Sequence, residues 1–387
     1  MYKIFASIVD DETRKQVEEL SKSEAYSDCE IRVMPDCHAG KGCTIGSVIQ
    51  IKDRVIPNTV GVDIGCGMLV ANLGKIDIDL EKLDSIINTY IPSGFNVKEH
   101  NDLSFPFPIY TYACGNLSDY HARSIGTLGG GNHFIEVDTD DEGNKYLVIH
   151  SGSRNLGVQV CEYWQNVAIS KLINKKEVIN NLIKSLKEQG REKEIQTELK
   201  KLQFPKINED LAYLEGEDLE KYLYDMDICQ RIANANRHCM FECIASKMGW
   251  IDFYDKIKKF TTIHNYIDIE SKIIRKGAIS AKKGEKVIIP MNMRDGSLIC
   301  IGKGNEDWLY SAPHGAGRIM SRKQAFESID IDYFKNSMNG IYSTSICEST
   351  KDEAPMVYKP IDTIVEDIKD TVEIINVIKP IYNFKAK

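Results

Sequence analysis

Five of the eight histidines sit among glycine, proline or asparagine residues: His38 in MPDCHAGKG, His133 in GGGNHF, His150 in IHSGSR, His264 in TIHNY and His314 in SAPHGAGR. Small neighbours let the backbone turn sharply and let a ligand approach closely. The run VDIGCG adds Asp63 and Cys66, three residues apart. A carboxylate, a thiolate and several imidazoles form a mixed O, S and N donor set. Such a set suits a borderline divalent ion such as Mn, Fe, Co or Zn better than Mg or Ca. A thiolate can bridge two ions, and a two-ion site stabilises both the attacking and the leaving oxygen in phosphoryl transfer. The bland alternatives are a satisfied structural histidine at each position, or a zinc-stapled loop. The second would show close CxxC pairs, and the sequence has none.

The neighbouring polar residues suit phosphate. SGSRNLG (151–157) puts Ser, Gly and Arg154 in a tight loop, where backbone N–H groups and a guanidinium fork can meet an anion. HGAGRIMSR (314–322) places Arg318 and Arg322 just after His314, and Lys41 follows Asp36 by five residues. Lys282 and Lys283 either extend the same strip or are solvated.

These residues need elements to hold them. The stretch DDETRKQVEELSK predicts a helix capped at Asp10 or Asp11. From Ile31 to about Leu73 the apolar runs are short and broken by Gly, Pro and Asp (IRVMP, TIGSVIQI, RVIPNTVGV, MLVANL), as strands and turns require. KYLVIH (145–150), KVIIP (286–290) and SLICIG (297–302) predict further buried strands. From about 162 to 250 the pattern is helical, including one long charged helix over 174–201 whose charges suit a solvated face. Ile361, Ile364, Val365, Ile368, Val372 and Ile375 repeat the helical spacing up to Pro380. The simplest architecture is one α+β domain over 1–387 with a helical insertion at about 162–250.

Composition narrows the class without fixing it. With 42% hydrophobic and 27% charged residues the 387-residue chain is ordinary for a globular protein. No apolar run approaches the roughly 18 residues of a membrane span, and the N-terminus has no signal-peptide pattern. Eleven cysteines without framework spacing predict reduced thiols and a cytoplasmic location. A net charge of −8 means that any nucleic acid must meet a localised basic strip.

Taken in order, PDCHAGKG, DIGCG, GGGNHF, HSGSR, the His264–Asn265 pair, RKGA, IIPMNM, SAPHGAGR and a late YK resemble the RtcB-type RNA-splicing ligases over nearly the whole chain. The resemblance implies an RtcB-like α+β fold with mixed sheets around a metal site. It implies two Mn²⁺ ions bridged by Cys66, with Asp63 and His133 completing one shell and His150 and His264 the other. It also implies that His314 attacks the α-phosphorus of GTP to give a histidine–GMP adduct, with Asp36 holding its other nitrogen. Asn132, His133, Phe134, Glu136, His264, Asn265, Pro290, Asn292, Met293, Ser297, His314, Gly315, Ala316, Gly317 and Lys359 are the residues implied at the GMP. Lys41, Arg154 and Arg318 are implied at RNA phosphates. The implied reaction joins RNA 3′-phosphate or 2′,3′-cyclic phosphate ends to 5′-hydroxyl ends, in tRNA splicing or RNA repair. The partner is RNA, with room for an activating protein. The chain departs from the family pattern in PMNM (Pro290–Met293) for PGSM, GGGNHF for GSGNHF, and YKP for YKD. These departures spare every metal ligand and His314. A rival of another class is a phosphodiesterase that opens cyclic ends without joining them, and a third is an idle RNA binder.

Overall fold

The computed structural model describes residues 1–40, 42–100, 110–173, 175–202 and 208–386, so Lys41 lies outside the described residues. In chain order, the strands that matter for the site are β1 (Tyr2–Ile4), β2 (Glu30–His38), β3 (Ile45–Gln50), β4 (Gly67–Gly74), β5 (Phe134–Thr139) and β6 (Lys145–Ser151). They continue with β7 (Lys258–Ile263), β8 (Asn265–Asp268), β9 (Ile273–Lys276), β10 (Lys286–Asn292), β11 (Gly296–Gly302) and β12 (Val372–Lys385). The helices are α1 (Asp11–Lys22), α2 (Asn155–Ile173), α3 (Lys175–Glu188), α4 (Gly216–Met248) and α5 (Ile361–Asp367). Asp10 caps α1 by accepting from the Thr13 N–H, as its sequence predicts.

Two sheets build an α+β fold. A five-stranded sheet runs β1-β2-β3-β9-β8 and is mixed, because β1 lies parallel to β2. A seven-stranded sheet runs β7-β4-β6-β5-β12-β11-β10. Its side chains alternate between two apolar faces. Leu69, Ala71, Leu147, Ile149, Ile135 and Val137 pack with Met240, Phe241 and Ile244 of α4. Met68, Val70, Val148 and Phe134 face Ile288, Ile299 and Ile378 from the far strands of the same sheet, which therefore curls towards a barrel. Each fully buried aliphatic side chain contributes roughly 1.5–3 kcal/mol, so a sheet covered on both faces is a firm base for its edge loops. Among the described residues no disulfide forms, and no helix is long and apolar enough to cross a membrane.

Three expectations need correction. The helical spacing after Ile361 ends at Asp367, and Val372–Lys385 is a strand paired on both sides. The run VEIINVI is β-branched, and pairing with β11 and β5 satisfies a backbone that a solvated helix would have to support alone. Pro380 does not end the element, because it sits where the register shifts before Tyr382. The charged helix over 174–201 stops at Glu188. Gly190 has φ 68°, and Arg191 N–H donates to the Leu186 carbonyl, a glycine-closed helix end. A short turn (Glu192–Glu194) and a short helix (Ile195–Leu199) follow. In RVIPNTVGV only Arg54–Val55 is extended, before a turn at Pro57–Thr59.

Candidate active site

The topology explains why residues so far apart in sequence meet. In the run β7-β4-β6-β5 every neighbour is antiparallel. The end of β7, the start of β4, the end of β6 and the start of β5 therefore lie along one edge. His264 follows β7, Cys66 precedes β4, His150 lies at the end of β6, and His133 precedes β5. Register agrees: His150 sits between Met68 and Phe134. β12 ends on the same edge, with Lys385 opposite Phe134.

The donor atoms converge. Cys66 Sγ lies 3.2 Å from His150 Nε2 and 3.4 Å from His133 Nε2, and the Nε2 atoms of His150 and His264 are 3.4 Å apart. Asp63 Oδ2 is 2.9 Å from His133 Nε2. Two overlapping trios result, Asp63–Cys66–His133 and Cys66–His150–His264, each with donor atoms within 4.8 Å of one another. His133 Nδ1 donates to the Leu128 carbonyl (2.9 Å) and His150 Nδ1 to the Asn132 carbonyl (3.2 Å), so both rings turn Nε2 to the cluster. That of His150 keeps its lone pair for a cation, and that of His133 meets Asp63, a contact that a cation would replace. Among the described residues the buried Nδ1 of His264 meets no hydrogen-bond partner.

The electrostatics suit cation binding. Burial pushes His150 and His264 well below the ordinary imidazole range, so both are neutral ligands near neutral pH. Burial alone would raise Asp63, but His133 beside it holds the carboxyl down at about 2. Burial, and then the Asp63 charge, push the Cys66 thiol far up. A metal bound as thiolate must therefore expel its proton. Gly152 belongs to the same packing, because a Cβ there would come 2.0 Å from Asp63 Oδ1. These residues fit divalent ions by donor type, convergence and tautomer.

His314 stands next to this cluster, its ring centroid 4.6 Å from that of His264. Its Nδ1 lies 2.6 Å from Oδ2 of the fully buried Asp36, which also accepts the His314 backbone N–H at 3.0 Å. Asp36 belongs to β2 of the five-stranded sheet, and His314 follows the short strand Ser311–Pro313, which pairs antiparallel with Ala278–Ser280. Gly317, at φ 75°, presses against the Asp36 backbone, where a Cβ would come 2.2 Å from the carbonyl oxygen.

A cleft of about 420 Å³ opens over both features. Of the residues singled out from sequence, Asp63, Cys66, His150, His264, Asn132, Phe134, Glu136, Asn265, Pro290, Asn292, Met293, His314, Gly315, Ala316, Gly317 and Arg318 line it. His133 lies just beneath, bonded to Asp63 and Cys66. Ser297 and Lys359 do not line it. Ser297 is fully buried in β11, and Lys359 is a buried amine whose Nζ donates to the carbonyls of Ile8, Pro35 and Cys37, tying β2 in place. Arg154 is half-buried, with Nε on Thr127 Oγ1 and Nη2 on the Gly94 carbonyl. Arg318 likewise serves Met320, Asp352 and Glu353.

The cleft also contains His38 and Tyr358, which lie in the PDCHAGKG and YK motifs without an implied role, and three residues that no motif marks: Glu353, Asn383 and Lys385. Lys385 Nζ pairs with Glu353 at 2.9 Å, both groups buried, and stands 5.3 Å from the Phe134 ring centre. Asn383 donates to Glu136, whose carboxyl burial pushes up to about 7. The available signal was YNFK at 382–385, where Tyr382 and Phe384 fill the core and the polar alternates must face the other side.

Comparison with known proteins gives the family. The family described as tRNA-splicing ligase RtcB matches residues 16–107 and 113–386. The RNA-splicing ligase RtcB of Escherichia coli (strain K12) is 32% identical, over 92% of this chain and 90% of that protein. The tRNA-splicing ligase RtcB of Aeropyrum pernix is 26% identical, over 86% of this chain and 83% of its own. RNA-splicing ligase RtcB homolog 1 of Entamoeba histolytica is also 26% identical, over 86% and 76%.

Proposed function

The chain belongs to the RtcB family, and from that premise we propose an RNA ligase that joins 3′-phosphate or 2′,3′-cyclic phosphate ends to 5′-hydroxyl ends, consuming GTP through a guanylate carried on His314. The observation that carries this reading is the pair formed by His314 and Asp36 at the rim of a Cys–His–Asp cluster. Asp36 holds the proton on Nδ1, which leaves the Nε2 lone pair free to attack phosphorus. That attack forms an N–P bond at the α-phosphorus and breaks the α–β bridge, with pyrophosphate leaving. The guanylate then moves to an RNA 3′-phosphate oxygen and returns the electron pair to Nε2. Attack by the 5′-hydroxyl on that activated phosphorus finally releases GMP.

Asp63, Cys66, His133, His150 and His264 would hold two ions of the Mn²⁺ class, which supply charge neutralisation at phosphoryl oxygens when bound. Asn132, Phe134, Glu136, Asn265 and the Pro290–Met293 segment at the end of β10 enclose a volume suited to the guanosine. Lys385 beside Phe134 adds a cation close to that volume. Gly315 and Ala316 keep the approach to His314 open. RNA is the macromolecular partner.

The test uses labelled GTP and Mn²⁺ with the intact chain, followed by addition of 3′-phosphate and 5′-hydroxyl RNA. An acid-labile protein adduct is expected, lost in His314→Ala, together with joined RNA. No adduct with any divalent metal, but opening of cyclic ends, would replace this reading by the phosphodiesterase.

A further inference from the structure

α4 does not border the cleft, and its sequence marks it as a helix that covers a sheet. Yet Asn236 and Arg237, consecutive on this helix, are both fully buried. The Asn236 amide is fully used. Its Oδ1 accepts the N–H groups of Gly126 (2.7 Å) and Thr127 (3.0 Å), and its Nδ2 donates to Ser151 Oγ (3.0 Å) and the Gly152 carbonyl (3.1 Å). Arg237 Nη1 donates to the carbonyls of Gly65 (3.0 Å) and Ser151 (2.8 Å).

These backbone groups lie on segments that carry or brace the candidate metal ligands. Gly65 precedes Cys66, and Ser151 follows His150. Gly126 and Thr127 precede Leu128, whose carbonyl accepts both His133 Nδ1 and Ser151 Oγ. Two neighbouring side chains thus tie together the three segments that carry Cys66, His150 and His133.

The choice of arginine is costly. Among the described residues no carboxylate lies within ion-pair distance of Arg237, and its Nε and Nη2 have no partner. A buried unpaired cation is among the least favourable groups in a core, and an apolar side chain would cover this sheet at lower cost. The acidic groups whose fields reach the guanidinium are Cys66 and Asp63.

We propose that Asn236 and Arg237 are positioning residues for the metal centre, holding the Cys66 loop, the end of β6 and the Leu128 carbonyl in one register so that the ligands are assembled before the ions arrive. The inference rests on the metal-centre reading above. It gives α4 a role in metal affinity as well as in covering the core.

The experiment measures Mn²⁺ binding to the metal-free full chain, by loss of the free-ion electron paramagnetic signal, beside its thermal unfolding. Arg237→Lys keeps a cation but not the fork, and Asn236→Ala removes the other half of the clamp. Ile244→Ala, in the apolar face of the same helix, is the control for simple loss of packing. Arg237→Lys and Asn236→Ala are expected to bind Mn²⁺ about 10- to 100-fold more weakly, as losses of ligand support do, and to recover guanylylation at saturating Mn²⁺. Ile244→Ala is expected to melt earlier while keeping wild-type affinity. Wild-type Mn²⁺ affinity in both clamp variants overturns the proposal, as does equal weakening in Ile244→Ala. A wild-type chain that binds no divalent ion would instead remove the metal-centre reading itself.

Discussion

Asp36 accepts two hydrogen bonds from His314, one from the backbone and one from Nδ1, and it does so from a site with no solvent exposure. The geometry fixes the imidazole ring and its tautomer together. Replacing the carboxylate with an amide of the same shape separates these effects. In Asp36→Asn the amide N–H can donate to Nδ1, which drives the proton to Nε2 and removes the nucleophilic lone pair. The comparable change in a serine protease triad lowers turnover by about 10⁴, so guanylylation should fall by roughly 10³–10⁴ while Mn²⁺ affinity stays near wild type. The rate of labelled adduct formation measures it, and an Asp36→Asn variant labelled at the normal rate would end the tautomer argument. His314 and the five metal-binding candidates were legible as residues because small neighbours and strand-end positions single them out. The nucleophilic role proposed for His314 was not, since composition makes it one histidine among eight. Only the family resemblance, and then the buried Asp36, distinguish it.

At the scale of elements, β5 and β12 show what the sequence could and could not disclose. β5 presents Phe134, Glu136 and Asp138 on one face; the GGGNHF motif made Phe134 legible, and the family resemblance implied Glu136. The partner residues come from β12, whose apolar spacing imitates a helix; only pairing with two distant strands decides its form. Periodicity over 361–375 cannot contain that information, because the decisive partners, such as Ser297 for Ile378 and Thr139 for Lys379, lie far away along the chain. Hence Asn383 and Lys385 went unmarked, while Lys359, in the more conspicuous YK, proved to be a buried tie for β2. The β5–β12 contact also has a pH signature. Burial raises Glu136 from 4.5 to about 7, and burial together with the Glu136 carboxyl beside it pushes Asp138 well above its usual range. A raised carboxyl favours the fold when protonated. Its contribution is complete below the unfolded value of 4.5 and is lost as pH rises through about 7. The metal-free protein should therefore lose stability across that window, and Glu136→Gln should flatten the loss and be the more stable form at about pH 8. Denaturant melts at a series of pH values decide it, and a Glu136→Gln curve parallel to wild type throughout would contradict the assignment.

For the whole molecule the question is how a chain of net charge −8 holds a polyanion. Most of the cations expected at phosphate are already engaged. Arg154 is tied to Thr127 and Gly94, Arg318 to Met320, Asp352 and Glu353, and Lys282 to Asp268. Arg322 differs in exposure, for it lines the cleft and keeps half of its side chain in solvent, although Asp352 meets one nitrogen and Glu353 lies 3.8 Å from the other. RNA should therefore be gripped at its reacting end by a few local contacts and not along an extended basic groove. Counterion release converts that into a slope: log affinity against log salt falls by about 0.7 per phosphate for single strands. Roughly two or three neutralised phosphates predict a slope near about −2, well short of the roughly −4 to −7 expected for about six to ten contacts. Arg322→Ala should reduce the slope by about one phosphate's worth and weaken binding evenly across sequences. Fluorescence anisotropy with a 3′-phosphate oligonucleotide over a salt series gives both numbers. A steep slope insensitive to Arg322 would move the RNA to another surface. The lysine-rich side of α3, where Lys184 and Lys187 stand exposed, is then the face to neutralise next.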